Sequence, residues 1–345
     1  MSSKIYNFEP SFFIADKKVG EDAPCFIIAE AGVSHFGDIE KAFQLVDMSL
    51  EAKADAVKFQ MFDTDSMISS VSAEWRERMR PKELPVSAFK EIQAYCKEKG
   101  IIFFATAHDL PSLEQLSKFD PPCYKVGSGE MGNPEFYQEV ARYQKPVLAS
   151  TGMFEKNDFY QMLDAVDSVE NNQFGVMHCV TQYPTPFDQV NLATIQWLSR
   201  HFAGPVGYSD HTAGFDIPAA AVLMGAKIVE KHITIEKNIP NAQDWKVACD
   251  ALELKDFVAR LRKYESALGQ VAMKRSESEQ TSVAWARKSV VAKVAIEKGT
   301  IFAHEHLEFK RPGTGISPAD VFRVIGQKAS RRFEADELIT LDESE

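Results

Sequence analysis

The chain has 345 residues, of which 45% are hydrophobic and 26% charged, a balance typical of soluble globular proteins. This length exceeds one ordinary compact core and suits a large barrel followed by a small module. The formal charge of −11 argues against binding to nucleic acid or to an anionic membrane surface. No apolar run reaches the roughly 18 residues that span a bilayer, and the first residues, MSSKIYNFEP, lack the apolar segment of a signal peptide.

Eight short apolar runs follow the amino terminus, and amphipathic segments separate most of them. The segments at 39–53, 86–99, 157–169, 192–202 and 217–224 have helical periodicity. Repeated strand–helix units of this kind predict a closed (β/α)8 TIM barrel, with an open doubly wound sheet as the alternative. Residues 12–19 predict a short hairpin at the barrel bottom. The apolar runs are residues 25–30, 55–60, 101–106, 123–128, 146–151, 174–179, 205–210 and 227–232.

The pattern changes near Met273. The polar run KRSESEQT (274–281) predicts a linker or loop. Short β-like runs then follow, separated by Lys-Gly and Pro-Gly pairs, and they predict a small β-rich domain that packs on a barrel. The β-like runs lie at 289–294, 307–310 and 338–340. We therefore divide the chain into a barrel domain at 1–273, a linker at 274–286 and a second domain at 287–345.

Two lysines lie inside otherwise apolar predicted strands, near the end where barrels bind their ligands. An ammonium group there costs several kcal/mol unless an anion meets it. Together with the hydroxyl groups of Ser128, Ser150 and Ser209, Lys58 and Lys125 predict a cradle for phosphate or carboxylate. Lysine side chains that reach solvent are the alternative interpretation.

Two histidines end consecutive predicted strands. Because such strands lie about 5 Å apart, His211 and His232 could share one metal ion. With no thiolate predicted nearby, the site would be open and weakly held, completed by water and substrate oxygens. Alternatively, both could be buried core histidines whose ring nitrogens are hydrogen-bonded within the protein. Glu30, Glu130 and Asp244 could act as general acids or bases, could orient the lysines, or could be solvated loop acids.

The five cysteines, at positions 25, 96, 123, 179 and 249, include no CxxC spacing. They predict reduced thiols in a cytoplasmic protein.

With these residues in view, the chain resembles the sialic acid synthase (N-acetylneuraminate synthase) family, which condenses phosphoenolpyruvate with an N-acetylated amino sugar to make nonulosonic acids. The end of the chain resembles the antifreeze-like (SAF) domain of these synthases through KRPGTGISP (310–318). The other matching runs follow the family's order: IAEAGVSHFGD (28–38), ADAVKFQ (54–60), YKVGSGEMGNP (124–134), ASTGM (149–153), HCVTQYPTP (178–186), VGYSDHTAG (206–214) and GAKIVEKHIT (225–234).

The resemblance implies a role for each matching residue. His211 and His232 match two ligands of a divalent ion such as Mn²⁺, with Mg²⁺ or Co²⁺ as other possibilities. Arg311 matches an arginine that reaches the partner's active site in a domain-swapped homodimer. The residues matching the phosphoenolpyruvate site are Lys58, Lys125, Ser128, Ser150 and Ser209. The residues matching the sugar site are Glu30, Gln60, Glu130 and Tyr183. Proton transfer is assigned to Glu30, Glu130 and Asp244.

Two departures from the family's pattern bear on the acceptor sugar. The family commonly has NHNGD after the first strand, where this chain has SHFGD (34–38). It also commonly has Gly-Pro-Asp-His after the last strand, where this chain has AQDW (242–245), with Trp245 in place of the histidine. We therefore predict a modified or deoxygenated acceptor, such as a diacetamido-trideoxyhexose, rather than plain N-acetylmannosamine.

Two other functions stay open at this point. One is another phosphoenolpyruvate–aldose synthase, which makes 3-deoxy sugar acids from aldose phosphates. Its acceptor phosphate would need a basic cluster beyond the two lysines, and the sequence indicates none. The other is a non-catalytic carbohydrate- or ice-binding protein, which has little use for two buried lysines and two strand-end histidines.

Overall fold

The structure is a computed structural model that describes residues 4–240, 242, 244–269 and 272–341. It divides into two compact units after Gly269. Gln243 of the AQDW run, and the outermost residues of the two predicted domains, lie outside the described residues. In the ranges that are described, no helix is both long and apolar enough to cross a membrane.

The first unit begins with a hairpin that closes the amino end of a barrel, as predicted. Strands β1 (Ser11–Ile14) and β2 (Lys17–Gly20) pair antiparallel, with Phe12 opposite Val19. These two side chains belong to one buried apolar cluster, which also contains Ile228 and residues from other barrel strands. The hairpin therefore fills the narrow end of the barrel with apolar side chains.

Within the described ranges, eight parallel strands close into a barrel, because the last strand pairs with both the first and the seventh. Closure confirms the predicted (β/α)8 barrel and excludes the open sheet. In chain order the strands are β3 (Phe26–Gly32), β4 (Ala56–Met61), β5 (Ile102–Ala107), β6 (Tyr124–Val126), β7 (Val147–Ser150), β8 (Phe174–Cys179), β9 (Val206–Asp210) and β10 (Ile228–His232).

Helices cover the outside of the barrel, and the five predicted from periodicity end within two residues of the predicted limits. The first is capped by Asp38, whose carboxylate accepts the backbone N–H groups of Glu40 and Lys41. Among the residues that the structure describes, one α-helix follows each barrel strand, except that three α-helices follow β4. In chain order the helices are α1 (Ile39–Glu51), α2 (Thr64–Met67), α3 (Ala73–Met79), α4 (Val86–Lys99), α5 (Leu110–Ser117), α6 (Pro134–Ala141), α7 (Lys156–Asp167), α8 (Ala193–His201), α9 (Asp216–Leu223) and α10 (Ala251–Leu268).

The connection from β4 to α4, residues 62–85, is long and carries α2 and α3, which the sequence did not predict. The side chain of Arg76 ties these helices together. Its Nε donates to the carbonyl of Ile68 at 2.6 Å, and its Nη2 donates to the carbonyl of Asp65 at 2.9 Å. The connection is therefore an ordered layer beside the carboxyl ends of the strands.

The second unit is small and rich in β structure. Its strands β11 (Ser289–Ala292) and β12 (Leu307–Lys310) pair antiparallel, and helix α11 (Gln280–Ala286) precedes them within the segment predicted as linker. The run predicted as a third strand, 338–340, forms a single bridge from Leu338 to Val291 instead. Short β pieces thus surround the apolar core of this unit.

The hairpin offers a matched pair of substitutions that tests the packing of the barrel bottom. Phe12 is 3% exposed and its neighbour Phe13 is 59% exposed. We expect Phe12→Ala to lower the free energy of unfolding by about 3–5 kcal/mol, because it leaves a cavity under the strands. Phe13→Ala should change it by about 0.5 kcal/mol or less. Chemical denaturation of both variants measures the difference, and equal losses would contradict this packing.

Candidate active site

The carboxyl ends of the barrel strands open into one cavity of about 470 Å³. It is lined by every predicted site residue of the first unit. Those that lie two residues apart on one strand meet there because their side chains point to the same face. These residues are Glu30, Lys58, Gln60, Lys125, Ser128, Glu130, Ser150, Tyr183, Ser209, His211, His232 and Asp244. Arg311 belongs to the second unit, where its Nε donates to the carbonyl of Ala286 at 2.9 Å.

The two lysines are buried, at 2% and 4% exposure, so they do not reach bulk solvent. Lys58 Nζ lies 2.8 Å from a carboxylate oxygen of Glu30 and donates to Thr106 Oγ1 at 3.0 Å. Lys125 Nζ donates to Ser150 Oγ at 2.7 Å. Lys58 therefore already has a protein carboxylate as its partner, which agrees with the interpretation in which Glu30 orients a lysine.

Glu230 is a second such carboxylate, and sequence reasoning missed it. Its oxygens lie 3.7 Å from Lys58 Nζ and 3.5 Å from Lys125 Nζ, and Ser209 Oγ donates to it at 3.1 Å. A signal was present in the sequence, because Glu230 stands two residues before His232 on one strand and must share its face.

The pKa shifts show how unequally the two lysines are compensated. Burial disfavours the charged form of both, but Glu230 and Glu30 outweigh it at Lys58 and raise the pKa of that ammonium. At Lys125 burial prevails, assisted by the positive charge of Lys58, and the pKa of Lys125 is lowered. Burial also disfavours the Glu230 carboxylate, but both lysines outweigh this effect and lower its pKa. Lys125 is thus the cation with more to gain from an additional anion.

The hydroxyl cradle beside Lys125 depends on a glycine. Ser128 Oγ accepts the backbone N–H of Gly152 at 2.9 Å. A Cβ at Gly152 would lie 2.2 Å from Thr181 Oγ1 and 2.7 Å from Ser128 Oγ, so no larger residue fits without movement. With Ser150 and Ser209, this turn lines one end of the cavity with small hydroxyl groups.

The two histidines lie side by side, with ring centroids 5.4 Å apart. His211 Nδ1 is 2.7 Å from the carbonyl of Val180, and because a carbonyl only accepts, Nδ1 carries the proton. The lone pair of His211 is then on Nε2, which accepts from the hydroxyl of Tyr183 at 2.9 Å. His232 Nδ1 is buried with no hydrogen-bond partner and lies 4.0 Å from Asp244 Oδ2.

These features fit a divalent ion held by two imidazoles. The lone pair on His211 Nε2, which the hydroxyl of Tyr183 meets, and the unpartnered buried nitrogen on His232 are the donors that such an ion needs. The chain supplies no fuller cage, because no group of three or more His, Cys, Asp or Glu residues with metal-binding geometry occurs in the part of the chain that the structure describes.

A thiol lies beside the histidines, contrary to expectation. Cys179 Sγ is 3.6 Å from His211 Nδ1, and Cys179 lines the cavity. His178, which precedes Cys179 on β8, faces the other way and bonds the carbonyl of Val190 at 2.7 Å. Burial disfavours the thiolate, but His211 and Lys125 outweigh this effect and lower the pKa of Cys179.

The cavity is also lined by two further cations. Arg78 and Lys82, both from the connection between β4 and α4, line it together with Trp75. Burial lowers the pKa of Lys82, with Asp244 opposing this effect and Arg78 adding to it. The expectation of no basic cluster beyond Lys58 and Lys125 is therefore wrong. The length of the connection was the available signal, because long ordered loops are usually functional.

Glu130 and Asp244 stand at the cavity wall with different surroundings. Glu130 is half-buried and its Oε2 accepts from Asn133 Nδ2 at 2.7 Å. Burial raises the pKa of Glu130, although the bond from Asn133 opposes the change. Glu30 differs from both, because it accepts from Gln60 at 2.8 Å and pairs with Lys58. A carboxyl group with a raised pKa is the better proton donor of the set.

The chain is similar to known proteins along most of its length. A sequence model of the NeuB family matches residues 45–273, and a model of the SAF domain matches residues 287–343. The chain is 36% identical to the N,N'-diacetyllegionaminic acid synthase of Campylobacter jejuni, covering 91% of this chain and 98% of that protein. It is 33% identical to the N-acetylneuraminate-9-phosphate synthase of Homo sapiens, covering 93% of each.

A solved structure shows the same architecture. The N-acetylneuraminic acid (sialic acid) synthetase of Leptospira borgpetersenii, in complex with citrate, is 29% identical. It aligns with a TM-score of 0.76 and covers 81% of this chain and 97% of its own. Because the family match takes in most of the barrel and the relatives extend over nearly the whole chain, the protein belongs to the NeuB family and ends in a SAF domain.

Proposed function

We propose that this protein condenses phosphoenolpyruvate with an N-acetylated amino sugar to form a nonulosonic acid and phosphate. The observation that carries the proposal is the convergence of Lys58, Lys125, His211 and His232 on one cavity. Ammonium groups that lie beside small hydroxyl groups bind phosphate and carboxylate by charge-assisted hydrogen bonds. The relatives named above, which make legionaminic acid and N-acetylneuraminate 9-phosphate, support this class of reaction.

The reaction joins two carbon atoms and releases phosphate. C3 of phosphoenolpyruvate attacks the aldehyde carbon of the sugar, and the aldehyde oxygen takes up a proton. Water adds to the cationic C2, and phosphate leaves the resulting tetrahedral intermediate. Lys58, Lys125 and the serine hydroxyls hold the phosphate and carboxylate throughout, so that positioning of the two substrates supplies much of the rate enhancement.

His211 and His232 are the residues that would hold the divalent ion, for which Mn²⁺ is our first choice. When bound, the ion supplies Lewis-acid polarisation of the sugar aldehyde. The hydroxyl of Tyr183 donates to His211 Nε2 at 2.9 Å, and both residues line the cavity. Among the three candidate carboxyl groups we assign the proton donor to Glu130, because Glu30 is engaged with Lys58.

We propose a diacetamido-trideoxyhexose as the acceptor. Trp245 and Phe36, the bulky residues of the two departures from the family's pattern, both line the cavity. Their apolar rings favour a sugar in which hydroxyl groups are replaced by hydrogen or acetamido groups. A phosphorylated N-acetyl sugar is the second candidate, because Arg78 and Lys82 line the same cavity and Lys82 Nζ lies 5.7 Å from the centroid of the Phe36 ring.

An acceptor screen with mass detection of the product tests the function. We expect phosphate release from phosphoenolpyruvate only when both Mn²⁺ and an N-acetylated amino sugar are present, with the highest kcat/KM for the diacetamido sugar. A best rate with N-acetylmannosamine would refute that acceptor, and a best rate with its 6-phosphate would establish the second candidate. A 3-deoxy product from an unacetylated aldose would indicate the other synthase class. If no acceptor leads to phosphate release, the protein is a non-catalytic binding protein instead.

The metal assignment is tested in the same assay with a matched pair of histidine variants. We expect His211→Ala to reduce the rate at least about 100-fold, because the ion loses one of two protein ligands. His201→Ala should keep the wild-type rate, since His201 is exposed on α8 and stacks on Trp197 outside the cavity. Full activity of the His211 variant would remove the proposed metal site.

The role of Glu130 predicts a pH dependence. A proton donor acts in its protonated form, so the rate should fall as the pH rises through the raised pKa of Glu130. Glu130→Gln should lower kcat by roughly 10²–10⁴ and abolish that fall, with little change in the KM for phosphoenolpyruvate. Glu135→Gln, an exposed neighbour on α6, serves as the control. A rate that still declines with pH in the Glu130 variant would assign the proton to another group.

We propose that the protein is a cytoplasmic homodimer in which Arg311 completes the partner's active site. His211→Ala and Arg311→Ala variants, each inactive alone, distinguish action in trans from action in cis when they are mixed and allowed to exchange subunits. If Arg311 acts in trans, the mixed dimer has one intact site, and activity should recover to about a quarter of wild type by random mass action. No recovery after demonstrated exchange would indicate action in cis.

A further inference from the structure

A buried ion pair lies directly behind the two histidines. Asp210 and Lys231 are register partners on β9 and β10, and each precedes one of the two histidines in sequence. Lys231 Nζ lies 2.5 Å from Asp210 Oδ2, and the two side chains are 1% and 0% exposed. Because neighbouring side chains on a strand point to opposite faces, the pair faces the helix layer while Glu230 and His232 face the cavity.

The pair also fixes the chain that follows His211. Asp210 Oδ1 accepts from the backbone N–H of Thr212 at 3.0 Å, from Thr212 Oγ1 at 2.8 Å and from the hydroxyl of Tyr208 at 3.0 Å. Lys231 Nζ donates to the carbonyl of Thr212 at 2.8 Å. The residue after one histidine is therefore bonded to the residue before the other.

The backbone of His232 is fixed in the same way from its other side. Its carbonyl accepts the backbone N–H of Cys249 at 2.8 Å, and the N–H of Ile233 donates to the carbonyl of Glu30 at 2.9 Å. The position of His232 relative to β3 is thus set by the backbone. The backbone ladder between β9 and β10 ends at the pair Asp210–Lys231, just before the two histidines. Beyond that point the position of His232 relative to His211 depends on the side chains of Asp210 and Lys231.

The energetics favour a geometric role over a stabilising one. Removing two charges from water is costly, and a well-packed apolar pair of similar volume is often as stable. What a directional ion pair adds is a defined relative position of the groups that carry it. Asp210 and Lys231 do not line the cavity and do not touch a ligand there, so any effect on the site must pass through the histidines.

We infer that the ion pair between Asp210 and Lys231 sets the spacing of His211 and His232 and thereby the affinity of the site for a divalent cation. The inference rests on the proposed function, in which both imidazoles ligate the ion. Asp210 and Lys231 are positioning residues, and their removal should weaken metal binding while leaving Lys58, Lys125 and Ser150, the cradle residues on β4, β6 and β7, unchanged.

The test measures Mn²⁺ binding directly, by the loss of the electron paramagnetic resonance signal of free Mn²⁺, without turnover. The double variant Asp210→Asn with Lys231→Met removes both charges at nearly constant shape, so that neither partner is left buried and alone. We expect its Kd for Mn²⁺ to rise about 10- to 100-fold. At saturating Mn²⁺ we expect kcat to recover toward the wild-type value with an unchanged KM for phosphoenolpyruvate.

A charged cluster at the opposite end of the barrel supplies the control. Asp55 is buried, accepts the backbone N–H of Ile27 at 2.8 Å and pairs with Lys17 and Arg262. Asp55→Asn should lower the melting temperature without altering the Kd for Mn²⁺. If the folded double variant binds Mn²⁺ within about twofold of wild type, or if Asp55→Asn weakens binding equally, the positioning role is wrong.

The experiment also separates this inference from the proposed function. Wild-type protein that binds no Mn²⁺ would refute the metal assignment itself, and the positioning role with it. Wild-type binding that is lost in His211→Ala but kept in the double variant would uphold the metal site and refute only the role of the pair. Should the double variant fail to fold, Lys231→Gln provides the measurement, because an amide at this position still donates to Asp210, which also keeps its bonds from Tyr208 and Thr212.

Discussion

Compensation of charge on the cavity floor is the constraint on which the rest of the site depends. Two ammonium groups, on Lys58 and Lys125, stand in a region closed to bulk solvent, and Glu30 and Glu230 neutralise them without any ligand. An incoming anion must therefore compete with the protein's own carboxylates. Such competition limits the affinity for inorganic phosphate and favours a ligand that engages the lysines and the serine hydroxyls together.

The fold was largely predictable because its signals are local and repeated. Each barrel strand is a short apolar run, and closure follows from the number of such runs. Prediction failed where the pattern is not periodic. Helices α2 and α3 lie in a polar connection whose order comes from bonds such as those of Arg76 to backbone carbonyls, which no propensity reports. Residues 338–340 have strand composition but form only one bridge.

The site residues that could be predicted are those whose chemistry is unusual for their position in a strand. Lysines inside apolar strands and histidines at strand ends are unusual enough to be found without coordinates, and they do meet in one cavity. Glu230 was missed because a carboxylate in a strand attracts attention only once its lysine partners are known. Arg78 and Lys82 were missed because the connection that carries them reaches the cavity by tertiary folding. Cys179 was missed because the sequence does not show which of two adjacent residues at the end of β8 points into the cavity. In the structure Cys179 points toward His211 and His178 points away.

The connection between β4 and α4 contributes its part of the cavity lining as a single segment. Trp75, Arg78 and Lys82 all come from this one segment, whereas Lys58, Lys125, Ser150 and Ser209 come from four separate barrel strands. A change confined to one stretch of sequence would therefore alter part of the cavity lining. The lysines and serines would stay in place, because the barrel strands hold them.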